Sequence, residues 1–423
     1  MRILVTGATG FIGSAIVAAL RRSAHDVVLC VHRTGHRYLP ADAETIEVDY
    51  MRDLTAEDWL PRLAGVDVVI NAVGILRESA QARFSELHHL APRALFQACE
   101  RSGVNRVVQI SALGADEGAS QYHRTKRAAD DVLRVSTLDW TIVQPSVVFG
   151  SRGASTRLFL RLASLPVIPL VGRGEQRMQP VHIDDLVTIV AKLIEHRLAV
   201  KQTIAVVGPE AVAMQKMLSV YRGLLGLGKT FMIPIPLALI RPVARVGDVL
   251  KSGALSTETL HMLLNGNTGS VQATHEILGY FPRALQDFIP PEEAEFLRMN
   301  AVWSWVHPML LAGIAIMWAA AGVVSWIYAR DHGLALLVKL GLSPEFATGA
   351  FIVACGVNVA LGIATLLTPG KILWVAQLAV MGFYTAVLSW VAPQLWVDPF
   401  GALIKNLPIA AVLLGFMAAS AEA

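Results

Sequence analysis

A short apolar run, Ile3 to Val5, ends in Thr6-Gly7-Ala8-Thr9-Gly10-Phe11-Ile12-Gly13 and continues into a segment with Ile12, Ile16 and Leu20 on one helical face. A strand that turns through glycines onto a helix N-terminus suits a diphosphate. The tight turn needs residues without a Cβ, and the anion needs bare N–H donors at the positive helix end. Gly7 serves the turn, Gly10 the approach of backbone to ligand, and Gly13 the packing of helix on strand. The spacing is G-x-x-G-x-x-G, one position away from G-x-G-x-x-G. At the first strand of a chain that goes on as β-α-β, the trio points to a dinucleotide-binding core.

The rest of the first half keeps that alternation. The helix is expected to end near Arg22, and Val27 to Val31 reads as a buried second strand, followed by His32-Arg33-Thr34-Gly35-His36-Arg37. An acidic residue about 20 positions past the glycines would hold a ribose 2′-hydroxyl, whereas an arginine suits a 2′-phosphate. The residue here is Arg33, with Arg37 behind it, so NADP(H) is the expected dinucleotide, with NAD(H) also accepted. A third strand, Thr45 to Val48, closes on Asp49, either an acceptor for the adenine amino group or a turn aspartate before a helix around Asp53 to Leu63. The fourth strand, Val66 to Ala72, runs into Val73 and Gly74, where the backbone of such a sheet passes the nicotinamide ribose. A helix from Phe84 to Arg101 is expected to kink or restart at Pro92. His88 and His89 on it have no ligand partners at metal spacing, and no metal is expected.

Arg106 to Ile110 is the fifth strand, with Ser111 at its carboxyl end, where α/β sheets bind ligands. Tyr122 and Lys126, four apart on a helix running to about Arg134, share a face. The pair permits a specific chemistry: a cationic Lys126 lowers the phenol pKa and holds the nicotinamide ribose, while Tyr122 exchanges a proton with substrate as hydride moves. The alternative is a surface helix pair. Trp140 to Gln144 is the sixth strand, ending at Pro145. Further on, Asp184 or Asp185 is expected to cap a helix reaching about His196, and His182 is read as a hydrogen-bonded structural histidine rather than one aimed at the crevice.

Charge then falls away. Residues 301–423 contain only eight Asp, Glu, Lys or Arg: Arg330, Asp331, Lys339, Glu345, Lys371, Asp398, Lys405 and Glu422. Pro308 to Ala329 is charge-free over 22 residues, enough to cross about 30 Å of hydrocarbon. Ala347 to Leu367 and Ile372 to Ala392 repeat the pattern, and Pro399 to Ala419 is a weaker fourth run with Lys405 near its start. Trp303, Trp305, Trp326, Trp390 and Trp396 cluster at the ends, as interfacial aromatics do. A lipid bilayer is the expected surrounding. With the cofactor domain and no leader ahead of the glycine loop, residues 1–300 are placed in the cytoplasm and the chain in the inner membrane, multi-pass. The net charge of +3 and the lack of a basic run interleaved with aromatics exclude the footprint of a nucleic-acid binder. Cys30, Cys99 and Cys355 have neither disulfide nor zinc spacing. The expected organisation is a doubly wound parallel α/β Rossmann core over 1–150, a small α+β substrate-side lobe and linker over 151–300, and an all-α four-helix transmembrane domain over 301–423.

Six motifs in order carry a resemblance: Thr6 to Gly13, Asn71 to Gly74, Ile110 to Ala115, Tyr122 to Lys126, Pro145 to Gly150 and Pro180 to Leu186. Over residues 1 to 290 the chain resembles the atypical short-chain dehydrogenase/reductases, related to the epimerase/dehydratases, and among them the group containing the NADPH-binding accessory subunit of mitochondrial complex I. Residues 301–423 resemble the DoxX-like four-helix membrane family, whose members are linked to quinone and redox functions. The resemblance implies bound NADP(H) and a Ser/Tyr/Lys set at Ser111, Tyr122 and Lys126. It places the cofactor on Gly7, Thr9, Gly10, Phe11, Ile12 and Gly13, then on Arg33, Asp49, Ala72, Gly74, Lys126 and Pro145. Active relatives carry Ser or Thr one or two residues past the strand-end position held here by Ser111, where this chain has Ala112 and Leu113, and often Arg where it has Gln144. Two functions therefore compete. One is a membrane-anchored oxidoreductase acting on an apolar carbonyl, quinone or lipid; the other is a non-catalytic NADPH-holding subunit, structural or redox-sensing, of a membrane redox complex.

Overall fold

A computed structural model describes residues 1–32, 42–79, 81–104, 106–118, 120–250 and 256–420, which fall into two units, Met1–Val302 and Trp303–Ala423. The first unit opens with β1 (Arg2–Thr6), α1 (Phe11–Arg22), β2 (Asp26–Val31), β3 (Thr45–Glu47), α2 (Ala56–Trp59) and β4 (Val68–Asn71). A second run follows: α3 (Ala91–Ser102), β5 (Arg106–Ile110), α4 (Gln121–Arg134) and β6 (Asp139–Pro145). Then come β7 (Val148–Phe149), α5 (Ala154–Ser164), β8 (Val167–Val171), β9 (Arg177–Met178), β10 (Val181–His182), α6 (Ile183–Glu195) and β11 (Gln202–Val206). β12 (Val212–Ala213), α7 (Met214–Leu224), β13 (Phe231–Ile235), α8 (Leu237–Leu250), α9 (Thr257–Leu264) and α10 (Gln272–Leu278) complete it.

Seven of these strands form one parallel sheet in the order β11-β6-β5-β4-β1-β2-β3. The order reverses between β1 and β4, and a crevice opens at their carboxyl ends, where Thr6 lies opposite Asn71. The strands are apolar on both faces because helices cover both. Ile3, Val5, Val108 and Ile110 enter one core with Ile16 and Leu20 of α1 and Leu186 and Leu193 of α6. Leu4, Val107 and Ile142 enter the opposite core with Trp59, Leu95, Phe96 and Leu133. A third core, around Phe159, Leu170, Met217, Tyr221 and Phe288, belongs to the lobe built after β6.

At Pro92, expected to kink or restart the helix, a π-turn, Glu86–Leu90, runs directly into α3, and Pro92 falls in the first turn of α3. Two other local expectations change. The helix expected from Asp53 shrinks to α2 and a 3₁₀ turn, Leu60–Leu63, with Pro61 in that turn. Neither Asp184 nor Asp185 caps α6. That helix begins two or three residues earlier than expected, so His182, in extended conformation, is the cap and accepts from the Asp184 N–H, while both aspartates sit in the first turn against the positive end of the helix.

The second unit is helical: α11 (Pro291–Tyr328, begun in the first unit), α12 (Arg330–Lys339), α13 (Pro344–Leu367), α14 (Lys371–Val391) and α15 (Asn406–Ala419). Among the described residues α11, α13 and α14 are long and apolar enough to cross a membrane, and only 22% of the most apolar stretch of α11 is buried within the protein. Apolar surface on that scale calls for lipid around it. The fourth apolar run behaves differently. Asp398 accepts N–H bonds from Phe400 and Gly401, and Gly401 turns with φ +64, so helix forms only from Asn406. At 14 residues, α15 is roughly 21 Å long at 1.5 Å per residue and is no full span.

At the base of the sheet Arg106 of β5 is buried, and its guanidinium donates to the carbonyls of Asp139 (3.3 Å), Leu193 (3.0 Å) and Leu198 (2.9 Å). It thereby ties β6, the end of α6 and the turn into β11 together. Arg106→Met keeps the length of the side chain but strands three acceptors, and is expected to destabilise the first unit by about 3 kcal/mol. Thermal melting of the purified variant against the parent protein checks this.

Candidate functional site

The glycine turn is built by close approach. Gly7 takes φ +67, and a Cβ there would lie 2.8 Å from the carbonyl carbon and oxygen of Ala72. A Cβ on Gly13 would meet the Gly7 oxygen at 2.1 Å. Gly10 caps α1 without a side chain, and no acidic residue occupies the first turn, so the N–H groups of that turn are offered bare at a positive helix end. These residues fit the diphosphate of a dinucleotide. Thr9 is exposed and Ile12 half-buried beside the turn, while the Phe11 ring rests where Cβ atoms on Gly150 and Gly153 would be, at 2.9 and 3.1 Å. Arg33 lies outside the described residues. Asp49, just past β3, accepts the Met51 N–H at 2.9 Å and lies 3.6 Å from Arg52. Pro145 ends β6, buried, and accepts the Leu113 N–H at 3.0 Å.

Beneath the crevice a buried polar chain crosses three strands. The Thr6 hydroxyl donates to Asn71 Oδ1 at 2.6 Å, the Tyr50 hydroxyl to the same oxygen at 2.9 Å, and Asn71 Nδ2 to Gln109 Oε1 at 2.7 Å. Tyr50 and Gln109 are absent from the sequence reading, since neither belongs to a motif.

Tyr122, Lys126 and Asp130 line one buried face of α4, whose N-cap Ser120 accepts the His123 N–H. Lys126 Nζ donates to the carbonyls of Val73 and Ile110, both at 3.0 Å, at the ends of β4 and β5. A Cβ on Gly74 would come within 3.1 Å of that nitrogen. Ser111 donates to Asp130 Oδ2 at 2.5 Å. Burial lowers the Lys126 ammonium to about 8, against the pull of Asp130. Burial likewise raises Asp130 to about 6, although the Ser111 bond and the Lys126 charge oppose the rise.

The phenol of Tyr122 departs from expectation. Burial pushes it up to about 12, and the Asp130 charge adds to the rise. His88, considered from sequence only as a metal ligand, proves to be part of this site. The π-turn turns its ring into the protein, where it stacks on Phe84 and meets Tyr122 edge-on with centroids 5.3 Å apart. Burial and the Lys126 charge drive it down to about 2. The neutral ring accepts the Ile75 N–H on Nε2 at 3.0 Å and contacts Thr125 Oγ1 through Nδ1 at 3.1 Å, pinning the loop after β4 to α4. His182 is structural, packed between Phe149 and Phe288.

Next to Tyr122 lies a cavity of about 750 Å³, walled by residues such as Leu158, Leu170, Met178, Met214, Ile235 and Met262. Ile75 and Met262 join it to Tyr122, since both line the cavity and pack on the cluster of Phe84, Ala112 and Tyr122. Polar groups are few: Arg77, His123, Ser155, Thr259 and Asn267. Arg77 Nη2 is buried with no hydrogen-bond partner. Glu258 of α9 accepts the Tyr122 N–H at 2.7 Å and draws that lobe helix over the site.

Residues 3–208 match the NAD dependent epimerase/dehydratase family and residues 315–414 the DoxX-like family. The chain is 28% identical over 214 residues to NADH dehydrogenase (ubiquinone) 1 alpha subcomplex subunit 9, mitochondrial, of Arabidopsis thaliana, which covers 49% of this chain and 53% of that protein. It is 31% identical over 186 residues to the ceramide reductase of Caulobacter vibrioides, covering 43% and 57%. The chain thus spans little more than half the length of these relatives. Among solved structures, UDP-glucuronic acid 4-epimerase from Bacillus cereus in complex with UDP-glucuronic acid and NAD is 20% identical, with a TM-score of 0.54 over 71% of this chain and 99% of that one, and shares the fold. The chain carries an NAD-dependent epimerase/dehydratase domain, a short-chain dehydrogenase/reductase-like Rossmann domain, joined to a DoxX-like membrane domain.

Proposed function

We propose that this protein is a membrane-anchored NAD(P)H-dependent oxidoreductase whose substrate is a lipid-like carbonyl compound or its alcohol. The observation that carries the reading is the apolar cavity beside Tyr122. A nucleotide sugar, the alternative ligand for this fold, would need many polar partners there, and the walls offer few. Bound NAD(P)H would supply a hydride to the carbonyl carbon, becoming NAD(P)⁺ as C=O becomes CH–OH. Tyr122 gives its phenolic proton to the carbonyl oxygen and is reprotonated from water. Lys126, fixed by Val73 and Ile110, offers its charge to the ribose and to the phenolate formed in that step. Asp130 keeps Lys126 charged, and Arg77 offers a donor to a polar group on the substrate. NADP(H) is favoured by the sequence position of Arg33, about 20 residues past the glycines, where an arginine suits a 2′-phosphate, and the cytoplasmic side of an inner membrane is the proposed setting.

A second reading has one observation in its favour. Ser111 is committed to Asp130, and Ala112 and Leu113 bring no hydroxyl in its place. A nucleotide-holding subunit of a membrane redox assembly needs none, and the likeness to the Arabidopsis subunit is in keeping with it.

Tyr122→Phe decides between the two. For the enzyme, NADPH consumption in detergent with long-chain ketones or quinones is expected to fall about 100-fold or more, while copurified nucleotide is unchanged. Steady retention of unoxidised NADPH with every such substrate would favour the second reading. Arg33→Asp is expected to weaken NADPH roughly tenfold and to spare NADH, as read by titration of nucleotide fluorescence. The Asp130 charge holds up a Lys126 pKa that burial lowers. In Asp130→Asn, Lys126 therefore loses its proton at lower pH, and the alkaline limb of the pH–rate profile is expected to move toward neutrality.

A further inference from the structure

The outer wall of the cavity is itself apolar on its far side. β13 pairs with β8, and α8 follows it directly. Ile235 and Ile240 face the cavity, and Ile240 and Ala244 pack with Leu260 of α9. One face of α8 is thereby satisfied. Yet Leu239, Val243 and Val246, spaced i, i+4, i+7 on another face, are 63%, 59% and 55% exposed, and Phe231 and Ile233 of β13 are 82% and 48% exposed. An apolar stripe at helical spacing left in water is costly. Arg241 and Arg245 stand exposed on the far side of α8 from that stripe, and Lys229 is exposed just before β13. Asp248, the acidic residue of α8, is engaged by the N–H and hydroxyl of Thr257.

We infer that β13 and α8 form a monotopic surface that inserts its apolar residues into the headgroup–acyl boundary of an anionic bilayer, and that the cavity behind them is filled from that bilayer. An exposed apolar stripe with arginines on the opposite face is the pattern of an interfacial helix. The bilayer rather than another protein is the occupant for two reasons on this chain. Arg241, Arg245 and Lys229 give this element positive charge suited to anionic headgroups, and the same polypeptide continues into α11, α13 and α14, which keep the first unit within reach of a membrane. The inference is independent of turnover, because a catalytically dead protein would dock equally well.

The test uses the full chain reconstituted in phosphatidylcholine–phosphatidylglycerol vesicles. Cys30 and Cys99 are buried with thiols raised by burial, and Cys355 is buried too, so an introduced cysteine is the reactive one. Val243→Cys and Leu239→Cys carry an environment-sensitive fluorophore, and Val135→Cys, at a position 86% exposed after α4, is the control. The expected result is a blue-shifted emission at 243 and 239 and quenching by acyl-chain nitroxide lipids several-fold above that at 135. Replacing phosphatidylglycerol by phosphatidylcholine, or Arg241→Gln with Arg245→Gln, should reduce that quenching. Quenching by aqueous iodide equal to that at 135 would overturn the inference. So would shielding from both iodide and lipid nitroxide, which would mean that protein covers the face. If a label at 243 prevents folding, the label at 239 gives the same readout, and NADPH oxidation by the parent protein is scored separately.

Discussion

The oxygen of Gly7 occupies the space that any side chain on Gly13 would need, 2.1 Å from an added Cβ. That contact brings the first turn of α1 down onto the end of β1, and Gly7 in turn presses on Ala72 at the end of β4. The crevice of the sheet is therefore set by main chain against main chain, which no rotamer change can relax. Strand order, helix direction and the bare N–H groups at the start of α1 follow from that one approach. A diphosphate finds its donors already in place.

Around this frame the chemistry is held by groups that burial makes expensive. Lys126 and Asp130 are both inside, and buried charges are stable only when their protons and lone pairs are satisfied. Val73 and Ile110 take two of the Lys126 protons, and Ser111 serves one Asp130 oxygen. The other Asp130 oxygen is buried without a partner. His88 is paired on both nitrogens and uncharged, so it adds rigidity without adding charge beside Lys126. In the second unit the same economy appears on a smaller scale: Gln377 donates to Thr365 at 2.7 Å within a fully buried pair on α14 and α13.

The sheet was legible because its strands are buried on both faces and so read as unbroken apolar runs between glycines and helices, as in Val27 to Val31 and Arg106 to Ile110. The glycine turn was legible because steric exclusion leaves few alternatives at Gly7 and Gly13. Side-chain roles were harder to read. Spacing along a helix does not show which carbonyls an ammonium meets, so the bonds of Lys126 to Val73 and Ile110 could not be read from sequence. His88 looked like one of two adjacent histidines on a regular helix, and only the π-turn gives it its orientation. The cavity draws on residues from Ile75 to Asn267 that share no periodicity, so no window of sequence contains it. Composition identified the apolar helices, yet the start of α15 depended on a turn at Asp398 to Gly401 rather than on hydropathy.

Phe11 links two of these regions. Its ring sits against Gly150 and Gly153, and Gly153 is the N-cap of α5, whose residues Ala154, Ser155 and Leu158 wall the cavity. The turn that grips one ligand and the helix that bounds the space for another thus share a single aromatic spacer. A ligand in one compartment that shifts this spacer would change affinity in the other, and by linkage the second ligand would change affinity for the first by the same factor.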